Sequence, residues 1–290
     1  MDKYLDLFFN SFSNYWHYLV SEITTPSWTN YFYWLIGLSA LVFALEIILP
    51  WRQNQKVLRR DFWLDLFYLF FNFFLFSLVG YNAISNVAVQ LFTDALNSVG
   101  IEHITVIEVS SWPVWAQLLT MFIIADFIQW NIHRLLHRVP WLWEFHKVHH
   151  SVKEMGFAAQ FRFHFMETII YKSLQYLPLA IIGFGIEQFF IVHMVSVFIG
   201  HLNHANLNWD YGTLKYILNN PKMHLWHHVK ELPSNHPHGI NYGLSLSLWD
   251  YLFKTAHVPY HQADLELGFP GDEHYPESFI AQVKAPFKKR

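Results

Sequence analysis

Cysteine is absent from the 290 residues, which excludes disulfides, thiolate zinc sites, cysteine-ligated iron–sulfur clusters and a cysteine nucleophile. Charge is scarce too: Asp, Glu, Lys and Arg make up 14% of the chain and sum to a formal −3. A basic surface able to hold nucleic acid is therefore not expected. The first residues, with Asp2, Lys3 and Asp6, lack the basic segment and short apolar core of a signal peptide, so they are expected to stay in the mature protein. No internal repeat or low-complexity tract is present. What the chain has in excess is apolar surface, 53% hydrophobic and 19% aromatic residues, together with 19 histidines. The first property is that of an integral membrane protein, and the second says where chemistry should be sought.

Apolar stretches at Tyr31–Leu49, Phe62–Gly80 and Trp112–Ile132 approach the ~20 residues that cross about 30 Å of hydrocarbon. The run Thr168–Gly200 is too long for one span; Gly183 and Gly185 mark a bend between two helices. Arg52, Lys56, Arg59 and Arg60 follow the first stretch; Arg134, Arg138, Lys147, Lys153 and Arg162 follow the third; eight further cations lie beyond Gly200. Tyr81–Ser111 has acids only, Asp94, Glu102 and Glu108, with a possible amphipathic helix at Ala83–Leu96. Five crossings put nearly every cation on one side, as the positive-inside rule requires. The expected fold class is thus all-α: a multi-pass membrane helical protein of about four to five transmembrane helices with a cytosolic helical cap carrying a di-metal histidine cluster. It is one domain, 1–290: an N-terminal transmembrane part at 1–111, a histidine-motif catalytic core at 112–255 and a cytosolic tail at 256–290. The N-terminus is expected outside, the C-terminus and metal site in the cytosol.

Fourteen histidines fall between His133 and His238. His133 and His137 are four residues apart in HRLLH; His146, His149 and His150 form HKVHH; His224, His227 and His228 repeat that spacing in HLWHH. Positions i, i+3 and i+4 share one helical face, so each group can aim two or three imidazoles at one point. Imidazole suits iron, zinc and copper. Eight such ligands are too many for one ion and enough for two. A single such half-motif is as readily a solvated surface; three on the same expected side are a stronger coincidence. His17, His103, His257, His261 and His274 lack grouping and are expected to be solvated or structural.

The run DFIQWNIHRLLHRVPWLWEFHKVHHS, Asp126–Ser151, resembles the signature of the fatty acid hydroxylase and sterol desaturase superfamily. HAN from His204, GTLKYILNNP at Gly212–Pro221, HLWHH, NYG from Asn241 and WDYLFKT from Trp249 are similar to its second half, closest in motif to the alkylglycerol monooxygenase branch and its bacterial relatives. One departure is Phe165 in RFHFME, where many members have proline. The resemblance implies a di-iron centre held by His133, His137, His146, His149, His150, His224, His227 and His228, with a ninth ligand at His204 and His201 as second choice. Two iron ions are the implied cofactor, replaceable by zinc in purified protein, with O2 as co-substrate. His164 and His193 are candidates to line a cavity, and His236 and His238 are read as either cavity-lining or solvated.

Neutral imidazoles do not offset the charge of two ferrous ions, so nearby carboxylates are expected to help. The candidate catalytic carboxylates are Asp126, Glu167 and Asp250. Asp126 lies two turns before His133 on the same face of an apolar helix; it is expected to orient a ligand imidazole, or else to pair with Arg134 or Arg138 or face a watery notch. The implied activity is O2-dependent oxidation of a membrane lipid by hydroxylation of an acyl, alkyl or sterol C–H bond. Alternatives are a lipid or sterol desaturase with the same site and, from another class, a metal transporter or sensor. The expected partners are the lipid and a ferredoxin or cytochrome-type electron donor on the cytosolic face, since the chain has no flavin fingerprint or haem-attachment motif of its own.

Overall fold

A computed structural model describes residues 2–76, 82–101, 107–259 and 263–288. All regular structure among these residues is helical, apart from isolated bridges such as Pro50 to Leu207 and Leu218 to Leu246. The helices are α1 Asp2–Thr24, α2 Tyr31–Ile48, α3 Phe62–Phe70, α4 Asn82–Ser98, α5 Val114–Arg138, α6 Pro140–His150, α7 Phe165–Tyr171, α8 Leu177–Ile182, α9 Ile186–His204, α10 Pro221–His227, α11 Leu248–Leu252 and α12 Phe279–Lys284. Two π-helical turns, Phe71–Leu75 after α3 and Lys172–Tyr176 between α7 and α8, lie in the apolar part of the chain.

Among the described residues two helices, α2 and α9, are long and apolar enough to cross a membrane. That is fewer than the four or five expected from sequence. The third expected span is one continuous helix, α5, whose apolar run is diluted by Gln117, Asp126, Gln129 and Asn131. The second is described only to Phe76; its end at Gly80 lies outside the described residues, as do Glu102, His103 and His261. The long run from Thr168 is divided as its glycines require: α8 stops at Gly183, which takes φ +118°, and Gly185 precedes α9.

Hydrogen bonds fix how the two apolar helices sit together. Tyr31 Oη lies 3.2 Å from His193 Nε2, and Ser39 Oγ lies 3.0 Å from His201 Nε2. Eight residues on α2 match eight on α9, so the helices run parallel. At their far end Glu46 accepts from the backbone amides of Asn206, at 2.6 Å, and Phe157, at 2.9 Å. Leu35, Val42, Phe62, Phe157, Val197 and Leu207 pack between α2, α3, α9 and the 3-10 turn Phe157–Phe161. On the opposite flank α1 pairs with α4, where Lys3 meets Asp94 at 2.7 Å and Asn86 donates to Ser11 at 3.1 Å.

The turn between α5 and α6 has a local cause. Val139 precedes Pro140, a context that disfavours helix, and Pro140 then opens α6 where its missing N–H costs nothing. HRLLH and HKVHH consequently stand on two separate helices folded against each other. Asn220 caps α10 by accepting from the Met223 amide at 3.0 Å, with Pro221 in the first turn, and so starts the third histidine helix.

Candidate metal centre

Nine of the ten histidines proposed as ligands converge in two groups. His133, His137, His146, His150 and His227 form one, and His149, His204, His224 and His228 the other; within each, one ring nitrogen per residue lies within 4.8 Å of all the rest. α6 serves both, because His146 and His150 share one direction while His149 turns to the other; α10 divides in the same way. His204, the last residue of α9, completes the smaller group. Nε2 atoms approach at 3.1 Å for His133 and His146, 3.1 Å for His150 and His227, 3.3 Å for His149 and His204, 2.9 Å for His204 and His224, and 3.3 Å for His224 and His228. Nitrogens held ~2.0–2.1 Å from a common ion would sit about 2.9–3.4 Å apart in octahedral or tetrahedral arrangement, and the spacings match.

The proton inventory says what belongs between these rings. His149 donates its Nδ1–H to the Arg162 carbonyl at 3.1 Å, and His204 donates its own to the Gly200 carbonyl at 2.8 Å. Carbonyls only accept, so in both neutral rings Nε2 keeps its lone pair. Those two lone pairs face each other across 3.3 Å with no proton between them. His133, bonded to the Tyr242 carbonyl at 2.7 Å, and His227, bonded to the Ile240 carbonyl at 2.7 Å, repeat the pattern in the other group, and His137 is bonded to the His238 carbonyl. Facing lone pairs repel unless a cation lies between them. The donor set therefore fits two metal ions of the imidazole-binding class.

Burial disfavours the charged ring, and neighbouring imidazoles add to that, so His146, His149, His150, His224, His227 and His228 are all driven well below the ordinary value of 6.5. They are neutral, with a ring nitrogen free to ligate, at pH 7. Glu167 is the carboxylate that touches the centre, its Oε2 2.9 Å from His146 Nδ1. Burial pushes it up to about 8.

The other two carboxylates do different work from that expected. Among the described residues Asp126 makes no hydrogen bond or ion pair with a histidine or with Arg134 or Arg138. It accepts from the backbone amides of Ser245, at 3.1 Å, and Leu246, at 3.2 Å, and from Trp249 Nε1 at 2.9 Å. Seven residues of helix put it about 10 Å from His133, and the chain at 245–249 fills that gap. Asp250 accepts from the amides of Tyr242 and Gly243, at 2.9 and 2.7 Å, from Trp130 Nε1 at 3.0 Å and from Thr255 Oγ1 at 2.6 Å. It therefore holds the backbone whose Tyr242 carbonyl orients His133. Both anchor the loop that closes the centre.

His201 is the proposed ligand that lies outside both groups: its Nδ1 is engaged by Gln160 and its Nε2 by Ser39. His164 caps α7 by accepting from Met166 at 3.1 Å and donates to the Val283 carbonyl at 3.0 Å. His193 is held between Tyr31 and Tyr176. His236 is half-buried and His238 exposed. Sequence reasoning missed the carbonyls of Arg162, Gly200, Ile240, Tyr242 and His238, which carry no residue-type signal. It also missed Arg162 itself, whose buried guanidinium joins Arg59 on Asp65 and so ties the His149 acceptor to α3.

Residues 118–255 match a family model described as fatty acid hydroxylase. Ornithine lipid hydroxylase OlsE of Rhizobium tropici is 35% identical over 179 residues, covering 62% of this chain and 53% of that protein. Alkylglycerol monooxygenase of Xenopus tropicalis is 31% identical over 150 residues, 50% of this chain and 31% of its own length. Very-long-chain aldehyde decarbonylase GL1-10 of Oryza sativa subsp. japonica is 28% identical over 153 residues, covering 51% and 49%. The chain thus spans about half, or less, of the length of these relatives. No solved structure matches significantly.

Proposed function

From a chain whose residues 118–255 belong to the fatty acid hydroxylase family, we propose an O2-dependent lipid monooxygenase that hydroxylates an acyl, alkyl or sterol C–H bond. The observation that carries the reading is the pair of imidazole groups with facing Nε2 lone pairs. His133, His137, His146, His150 and His227 would hold one iron ion, and His149, His204, His224 and His228 the other. Bound iron supplies the reduction of O2 and the oxidation of the C–H bond; zinc can fill the same imidazole sites without supporting either.

The chain's own residues do the positioning. Backbone carbonyls and Glu167 fix which nitrogen of each ring carries the proton and how the ring is aimed, which sets ligand basicity. The near-complete burial of both groups keeps bulk water away. Substrate is a membrane lipid: the parallel α2 and α9 and the pairing of α1 with the acid-bearing α4 support a multi-pass arrangement. The distribution of Lys and Arg favours an external N-terminus and a cytosolic C-terminus. An electron donor of ferredoxin or cytochrome type completes the reaction from the cytosolic side.

Lipid mass spectrometry on cells expressing the wild-type chain or His149→Ala tests the proposal. A lipid that gains one oxygen only with the wild type is the expected result. Loss of two hydrogens instead would make the enzyme a desaturase, and an unchanged lipid profile would contradict lipid oxidation.

A further inference from the structure

We propose that Trp143 is the residue through which electrons reach the five-histidine group, and that the surface around it docks a small acidic one-electron carrier protein. The inference rests on the di-iron reading above. Hydroxylation by O2 takes RH, O2, two electrons and two protons to ROH and water. The sequence offers no cysteine cluster, flavin fingerprint or haem-attachment motif to store those electrons. A one-electron carrier would deliver them singly: it would be oxidised by one electron, and iron held by the five histidines would take up that electron in passing from ferric to ferrous, with no bond made or broken.

Geometry marks the entrance. His137 is the member of either histidine group whose residue is not fully buried, although its Nε2 is shielded from solvent, so the cover over the five-histidine group is thin at this residue. Trp143 covers it. Its ring centroid lies 5.0 Å from that of His137, tilted by 36°, 5.2 Å from His150 and 6.1 Å from His146. Trp143 precedes His146 by one turn and His150 by two on the inner face of α6, yet remains half-buried. Tyr242 touches the same imidazole at 5.2 Å, but is 1% exposed and cannot meet a carrier. Trp143 alone of these two rings reaches both ligands and surface. Because electron transfer weakens steeply with distance, an easily oxidised indole in contact with two ligand rings is the favoured conductor.

The charge around it selects the partner. Arg138 is exposed and hydrogen-bonds the Tyr242 side chain beside His137. Arg134 stands one turn earlier on α5, and Lys147 one turn after Trp143, bonded to Glu144 at 2.8 Å. On the α5–α6 face these three cations stand against Glu144, an excess that favours an acidic protein surface by steering and register. Trp141, 62% exposed, adds an apolar contact.

The test uses iron-loaded full-length chain in lipid nanodiscs without O2, with a reduced acidic [2Fe–2S] ferredoxin as probe. Bleaching of the ferric absorbance is followed after mixing, and iron content is measured separately. Trp143→Leu should slow ferredoxin-driven reduction at least tenfold at unchanged iron content, and Trp143→Tyr should restore most of the rate. Arg138→Glu should slow it at low salt and flatten its salt dependence, while reduction by dithionite stays at the wild-type rate. Iron-loaded Trp143→Leu reduced as fast as wild type, or a ferredoxin that fails to reduce the wild type, overturns the inference and leaves the di-iron reading intact. A wild-type chain that binds no iron overturns both.

Discussion

Glu167 and Asp126 are both buried carboxylates on helices that run into the histidine cluster, and their partners give them opposite roles. Glu167 meets His146 at 2.9 Å, so Glu167→Gln, which keeps the shape but puts an amide group where a carboxyl oxygen fixes the ring's tautomer, should weaken metal binding by roughly 10–100-fold. Competition with a chelator measures this, and unchanged affinity would remove Glu167 from the centre. Asp126→Asn should leave metal per folded chain at the wild-type level, because its partners are Ser245, Leu246 and Trp249. Its cost should be about 1.5–3 kcal/mol of stability, the worth of hydrogen bonds to a charged group, seen as a lower Tm. Metal loss without a stability change would reverse the two roles. The i, i+3, i+4 spacing made eight histidines legible in the sequence as helix-face groups, but not that HKVHH and HLWHH each divide their rings between two separate groups. Asp126 was misread because the same periodicity puts it on the face of His133 but says nothing of what fills the space between. His201 and His204, three residues apart on α9, differ in partners that only the packing of Ser39 and Gln160 reveals.

At the scale of elements, the centre is closed by a loop as much as by helices. The chain from Gly239 to Asp250 supplies the Ile240 and Tyr242 carbonyls and is pinned by Asp126 and Asp250. A methyl group at Gly243 would overlap the Leu246 carbonyl and come within 2.9 Å of Asp250 Oδ2. Gly243→Ala should therefore cost about 1–3 kcal/mol, as overpacking does, and lower metal occupancy by displacing the Tyr242 carbonyl. Thermal unfolding with metal analysis checks both, and wild-type occupancy would contradict the role given to the loop. The Gly183 bend was read from local rules; helix α1 and the Val139–Pro140 turn were not drawn from the sequence, although Pro140 carries the signal for the turn. The π-helical turns and the loop's path were not readable locally, because they follow from contacts between segments far apart in sequence. The expectation of four or five spans exceeded the two helices that qualify, since apolar stretches such as α5 carry the polar residues that serve the site.

For the whole molecule, acid acts on the cluster as a unit. Six ligand imidazoles lie well below 6.5, and His164, packed under α7, is lowered by burial to about 4. The unfolded chain then binds protons near pH 6.5 that the native chain does not, so stability must fall as pH drops below about 6.5 toward the lowered native values. Protons compete with metal in the same direction. Metal content and Tm followed between about pH 7.5 and 5 should decline together, and values constant across that range would argue against buried imidazole ligands. The central claim, two ions in two separate histidine groups, is tested most directly by metal analysis of chain purified without chelator, as wild type, His137→Ala and His204→Ala. The account predicts about two ions per wild-type chain and about one in each variant, because each substitution damages one imidazole site. Well under one ion in the wild type, or the wild-type content in both variants, would contradict it.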